Sequence, residues 1–412
     1  MAGDTSLGSI PLFSDRGGVQ HFGRGMHVLQ LWANICIIES GDGVVLYDAG
    51  FEFNGPRIVE EIRAVTDKPV RYIVYGHGHA DHAFGAGSVI HEAQERGYPR
   101  PLIVAHENLP KRFDRYREML PYHEHINRIQ FAIPENIPAF SRTYIYPDQT
   151  YREEMCLRLG DLTLELRHAK GETDDITWMW IPERKTACVS DLWVWSCPNV
   201  GNPFKVQRYT LEWAQALEAV AARSPELLLP GHGAALKGAE VIQDACLTVA
   251  RALRYLNDQV VEMLNRGMWP EEILHSFEWP GEFAASPYLA SIYGHPYFIV
   301  QALLRQYHGW YDGNPSHLFP SRSGEIATEV LGLAGGAAGV LDRVRALAAE
   351  GRFQLALHLA DLVIDGGAGL RREAVDLKIE LLESLAEKES SLIARNIFLG
   401  GVRRLRKLLE EK

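Results

Sequence analysis

The chain has 412 residues, room for two or three domains of ~150 residues each. Its 46% hydrophobic and 23% charged content is that of an ordinary soluble globular protein. A net charge of −11, from 42 basic and 53 acidic residues, argues against a general nucleic-acid binder, because neutralising phosphates needs a basic surface. The longest uncharged apolar run near the end, 330–341, is Gly-rich and too short for a membrane span, which takes ~20 residues. The opening MAGDTSLGSI has neither a basic nor an apolar leader region. Five scattered cysteines (Cys36, Cys156, Cys188, Cys197, Cys246) form no CxxC pair, which fits reduced thiols in a cytoplasmic protein.

In chain order, residues 27–50 form two β-rich runs around Ser40-Gly41-Asp42-Gly43, a hairpin signal. The second run ends at Asp48, either a support for metal ligands or a loop cap. Residues 55–66 carry Ile58, Ile62 and Val65 at helical spacing. The apolar Ile73, Val74 and Tyr75 then end at Gly76, and His77, His79, Asp81 and His82 follow within six positions. Imidazole and carboxylate suit zinc, which takes about four ligands per ion. His77 and His79 project to one side of an extended backbone, whereas Asp81 and His82 follow a turn and face a second point. Two adjacent ions are the simpler geometry. Ala83, Gly85, Ala86 and Gly87 permit close packing behind the cluster.

A helix and a strand, 101–105, come next. The polar-aromatic stretch 106–150 reads as loop-rich, an active-site wall or lid holding His106, His123, Glu124, His125, Asn127 and Arg128. Its histidines lack compact spacing and read as surface or hydrogen-bonding residues. From 155 the β pattern resumes around Gly160-Asp161 and ends in the turn His168 to Asp175. Strands at 176–181 and 186–190 follow, the latter ending in Asp191. After a helix at 210–222, a short strand, 227–229, runs into Pro230-Gly231-His232-Gly233. A metal-competent side chain thus follows a strand end at His77 and His79, Glu172, Asp191 and His232. Rigid strand ends opening into loops are where functional groups gather.

These positions together resemble the metallo-β-lactamase superfamily over about residues 20–240, with its HxHxDH signature at His77–His82, Asp191 and the PGHG turn. The resemblance implies an α/β fold, an αββα sandwich with a dinuclear site at one edge. Metal 1 would take His77 and His79, metal 2 would take Asp81, His82 and His232, and Asp191 would bridge them. Where most relatives supply a third histidine, this chain reads Gly171-Glu172-Thr173. A glutamate there resembles the alkylsulfatase branch, and Glu172 precedes Asp191 by the 19 positions that separate that branch's two acidic ligands, although its second is usually Glu. His168 is the rival ligand.

Residues 288–320, above all GWYDGNP at 309–315, resemble the alkylsulfatase dimerisation domain. Amphipathic segments 338–350, 352–365 and 370–388, broken at Gly351 and Gly366-Gly367, resemble TPR-like helix pairs. The expected division is a catalytic domain, 1–245, and an all-α dimerisation domain, 246–412, forming a homodimer. Larger alkylsulfatases carry a further sterol-carrier-like domain; this sequence ends at Lys412 without it.

The implied function is a dinuclear zinc hydrolase cleaving alkyl sulfate esters with metal-activated water, Asp81 and Asp191 being catalytic ligands. Iron and manganese suit the same donors. Alternatives are hydrolysis of another ester, lactone, amide or phosphoester, a superfamily oxidoreductase, or a helical scaffold with a degenerate site. Three carboxylates against two dications leave one net positive charge, so an anionic ester needs further help. Candidates are Lys205 and Arg208 ahead of helix 210–222, Asn127 and Arg128 in the lid, and Tyr293 with His295 in the second domain. The branch's arginine motif after Asp191 is altered here to GNPFKVQRY.

Overall fold

The structure, a computed structural model, describes residues 17–410 apart from Ala368; the ten residues read for a leader, and Lys412, lie outside the described residues. The chain divides into two compact units: the described residues up to His125 with Asn136–His308, and Ile126–Glu135 with the chain from Gly309 onward.

The first unit holds two sheets. One runs in order β1 (Val19–His21), β2 (Met26–Gln30), β3 (Asn34–Ser40), β4 (Gly43–Tyr47), β5 (Val70–Val74), β6 (Leu102–His106) and β7 (Gln149–Tyr151). Its first four strands are antiparallel neighbours, and β4 to β7 are parallel. The other holds β8 (Glu154–Leu159), β9 (Leu162–Ala169), β10 (Ile176–Ile181), β11 (Thr186–Ser190), β12 (Leu227–Pro230) and β13 (Leu236–Lys237) in reverse spatial order. The hairpin expected at Ser40–Gly43 is the β3–β4 turn.

The near-continuous apolar strands follow from burial on both faces. On β3, Ile35 and Ile37 pack with Ile58, Ile62, Val89 and Phe113 from the helices of that side. The alternate residues Cys36 and Ile38 point into a second core with Leu164, Leu166, Met179 and Cys188 of the opposite sheet. Beyond that sheet, Trp178, Trp180 and Val189 meet Trp213 and Leu217 of the helix Thr210–Ala222 and Val249 and Leu253 of the helix Ala239–Asn265. Three apolar layers between four structural layers give the expected αββα sandwich.

Two expectations need correction. Residues 106–150 are not mainly loop, because helices span Asn108–Glu118 and Leu120–Gln130. The first buries Leu109, Arg112, Phe113 and Tyr116, a regular helical stripe disguised by an arginine in its middle. A boundary at 245/246 would cut the helix Ala239–Asn265, whose Ile242, Cys246, Val249 and Leu256 share one core with the second sheet. That core continues through Ile299 and Leu303, so the unit extends to His308, and Tyr293 and His295 lie in the sandwich unit.

In the second unit, helices Ser323–Leu333, Ala337–Ala349, Phe353–Asp365, Arg371–Lys388 and Leu392–Glu410 pack around Leu331, Val344, Ala360, Val375, Leu382 and Val402. Asn396 Nδ2 donates to the Gln130 carbonyl at 2.7 Å, tying Ile126–Glu135 to this unit. Among the described residues no single helix is long and apolar enough to cross a membrane.

Candidate metal centre

Strand ends deliver the donors. His77 and His79 follow β5, Glu172 lies between β9 and β10, Asp191 follows β11, and His232 follows β12. Two groups result: His77, His79, Glu172 and Asp191, and Asp81, His82 and His232. In the first, His77 Nε2 is 2.9 Å from His79 Nδ1 and 3.7 Å from Asp191 Oδ2, and His79 Nδ1 is 3.7 Å from Glu172 Oε2. In the second, His82 Nε2 and His232 Nε2 are 3.4 Å apart and each is 3.6 Å from Asp81 Oδ2. Asp191 Oδ1 lies 3.3 Å from both of those imidazole nitrogens, so this carboxylate turns one oxygen to each group.

The spacing fits a cation. Donors about 2.05 Å from a tetrahedral ion sit about 3.4 Å from one another. Asp191 Oδ1 is buried and accepts no well-formed hydrogen bond, despite its two close nitrogens. A buried oxygen aimed between imidazoles without a hydrogen bond fits a place for a metal.

Each histidine but His79 is oriented from behind. His82 Nδ1 lies 2.8 Å from Asp48 Oδ2, His232 Nδ1 lies 2.7 Å from the Trp32 carbonyl, and His77 Nδ1 lies 3.1 Å from Ser190 Oγ. These contacts place the ring proton on Nδ1 and leave Nε2 facing the site. Asp48 also accepts from Ser190 Oγ at 3.0 Å and from the Gly76 amide at 2.6 Å. Of the two readings of Asp48, the structure selects ligand support. Asn34 Nδ2 donates to the carbonyls of Pro230 and Gly233, both at 2.9 Å, and fixes the turn that carries His232. That turn requires Gly231, where a Cβ would come within 2.1 Å of Asp191 Oδ1.

Electrostatics agree with a cation cradle. Burial lowers His77 and His79 well below the usual imidazole range, keeping both neutral. Burial also opposes charge on His82, but Asp191, Asp48 and Asp81 raise it to about 10, so these carboxylates favour a positive charge at its Nε2, a proton or, in its place, a metal cation. Burial pushes Asp191 up to about 7 against His232 and His82, with Glu172 adding to the rise. Burial acts to raise Glu172 too, yet Arg208, Asp191 and His77 together hold that carboxyl well below the usual range.

The other expected residues divide. His168 is in neither donor group; its Nε2 donates to the Asp174 carbonyl at 3.0 Å and its ring stacks on His106. Arg208 is buried in an ion pair with Glu172, and His295 caps the helix Pro296–Tyr307 by accepting from the Tyr297 amide at 3.1 Å. Lys205 is half-buried, and burial followed by Arg208 lowers its ammonium to about 7 while Glu172 and Asp81 oppose the fall. Burial and then Glu172 raise the Tyr293 phenol, keeping it protonated. Asn127 and Arg128 belong to the second unit, where Arg128 donates to the Ile133 carbonyl at 3.3 Å.

Sequence reasoning missed Arg112. Its Nε donates to Asp175 Oδ2 at 3.0 Å, the same oxygen that accepts from the Gly78 amide at 3.1 Å, and its Nη2 pairs with Asp174. One guanidinium therefore ties the Glu172 turn to the backbone between His77 and His79. The paired acids Asp174-Asp175 beside Glu172 were the available signal.

The profile of the metallo-β-lactamase superfamily matches residues 33–232, and that of alkyl sulfatase dimerisation matches residues 269–408. The chain is 25% identical over 398 residues to a linear primary-alkylsulfatase of Pseudomonas sp., covering 91% of this chain and 74% of that protein. It is 24% identical over 405 residues to an (R)-specific secondary-alkylsulfatase of Pseudomonas sp., covering 91% of this chain and 60% of that one. Among solved structures, a stereoselective inverting sec-alkylsulfatase from Pseudomonas sp. superposes with a TM-score of 0.83 at 22% identity, over 94% of this chain and 65% of that chain. This chain thus spans about two thirds of these relatives' lengths.

Proposed function

Because the chain belongs to the alkylsulfatase branch of the metallo-β-lactamase superfamily, we propose that it is a zinc-dependent hydrolase of alkyl sulfate esters that works as a homodimer. The observation that carries this reading is Glu172, a carboxylate completing the first donor group beside His77, His79 and Asp191. When bound, two divalent cations would supply a nucleophile from water at neutral pH and neutralise charge on the ester.

The chain's own residues do the rest. His77, His79 and Glu172 would hold one ion, Asp81, His82 and His232 the other, and Asp191 both, each of its oxygens facing one group. Asp48, Ser190 and the Trp32 carbonyl engage Nδ1 of three imidazoles, which would leave Nε2 of each free to hold an ion. Lys205 is the candidate cation for a sulfate oxygen, since Arg208 is engaged by Glu172. A bound anion favours its ammonium form. Tyr293, within reach of the charges of Glu172, Asp81 and Asp191, keeps its phenolic proton and can donate it in a hydrogen bond.

Zinc-loaded protein offered short alkyl sulfates, lactones and phosphoesters should release inorganic sulfate from the first class. His79→Ala should abolish that release. A fully loaded protein that hydrolyses only the lactones or phosphoesters contradicts the proposal.

A further inference from the structure

The third ligand of the first group has its own support. Arg208 is 3% exposed, and its Nη1 pairs with Oε1 of Glu172 while donating to the Asn199 carbonyl at 2.5 Å. Asn199 Nδ2 donates to the same Oε1 at 2.8 Å. Two donors therefore meet one carboxylate oxygen, and the other, Oε2, is the oxygen turned toward His79. A guanidinium never deprotonates in a protein, so this partner is a fixed charge.

We propose that Arg208 is a positioning residue of the metal centre rather than a substrate anchor. With Asn199 it engages Oε1 of Glu172, presents Oε2 to the cation, and offsets the charge that a carboxylate ligand brings where an imidazole would bring none. The charge count supports this. Asp81, Glu172 and Asp191 against two divalent cations leave one net positive charge, and Arg208 restores the second. The inference rests on the two-metal reading above.

The test measures zinc directly, by metal content after dialysis and by chelator competition, in wild type, Arg208→Gln, Arg208→Lys, Glu172→His and the double variant Glu172→His/Arg208→Gln. Arg208→Gln should weaken one of the two ions by about tenfold or more, the usual loss when a ligand's hydrogen-bond partner is removed. Arg208→Lys should recover part of that loss. Glu172→His alone leaves a buried guanidinium beside a neutral ligand and should also bind zinc weakly. Removing both charges together should restore tighter binding than either single change. Wild-type affinity in Arg208→Gln, or a double variant whose losses simply add, overturns the proposal. If Arg208→Gln does not fold, the double variant compared with Glu172→His still decides. Wild type that binds fewer than two ions overturns the underlying two-metal reading as well, and is thereby distinguished.

Discussion

At the scale of single residues, Asp48 shows how much one buried carboxylate organises. It has a left-handed φ of 65° at the end of β4, and its two oxygens serve His82, Ser190 and the Gly76 amide. Its neighbour in the network, Ser190, is also left-handed, at φ 45°. Non-glycine residues in this region are uncommon and concentrate where surrounding contacts over-determine the backbone. Asp48→Asn keeps the shape and removes the charge that fixes the His82 tautomer. We expect zinc affinity to fall by about tenfold to a hundredfold in chelator competition, with the secondary structure unchanged by circular dichroism. Unchanged affinity would show that His82 needs no such partner. The hexamer His77–His82, Asp191 and His232 were legible in the sequence because each donor follows an apolar run ending in a small residue or turn. The partners behind them were not. Arg208 lies 36 positions from Glu172, and Asn34 lies 196 from Pro230, distances over which only the fold brings residues together.

Among elements, β6 and β9 meet through a stacked pair of imidazoles near the site. His106 and His168 have ring centroids 3.7 Å apart at an interplanar angle of 8°. His106 Nε2 donates to the Arg152 carbonyl at 2.9 Å, and its Nδ1 accepts from the Asn108 amide at 3.2 Å, so both nitrogens are used by the neutral ring. Burial, then the neighbouring His168, lowers its pKa from 6.5 to about 4. The unfolded chain therefore takes up a proton near 6.5 that the folded chain refuses until about 4. Stability from this group is complete above the higher value, falls as pH drops between the two, and is level below. Urea unfolding should lose about 2 kcal/mol from this residue between about pH 7 and about pH 5. His106→Gln should remove that part of the slope. An identical slope in the variant would contradict the assignment. The strands of the sandwich were readable from their apolar runs, whereas the helix Asn108–Glu118 was hidden. Its core face includes Arg112, an ion whose burial makes sense only once Asp174 and Asp175 are beside it.

For the whole molecule, the second unit leaves large apolar side chains uncovered: Trp310 at 78%, Phe319 at 89% and Leu333 at 91% exposed. Helices of this unit cover their inner faces with one another, so these residues are not needed for its core. A contiguous exposed apolar patch marks an association site, and the dimerisation profile covers all three positions. Phe319→Glu combined with Leu333→Glu should reduce the mass in light scattering from two chains to one, without changing helical content. A wild type already of one chain's mass would contradict the proposed dimer.

The proposed reaction is hydrolysis of an alkyl sulfate by two cations held by these seven side chains. Its most direct test is a zinc titration of metal-free protein that reads inorganic sulfate released from hexyl sulfate. Release should climb until two equivalents per chain are bound and then level off. Protein that binds both equivalents and releases no sulfate, or that is fully active with one, would contradict the account.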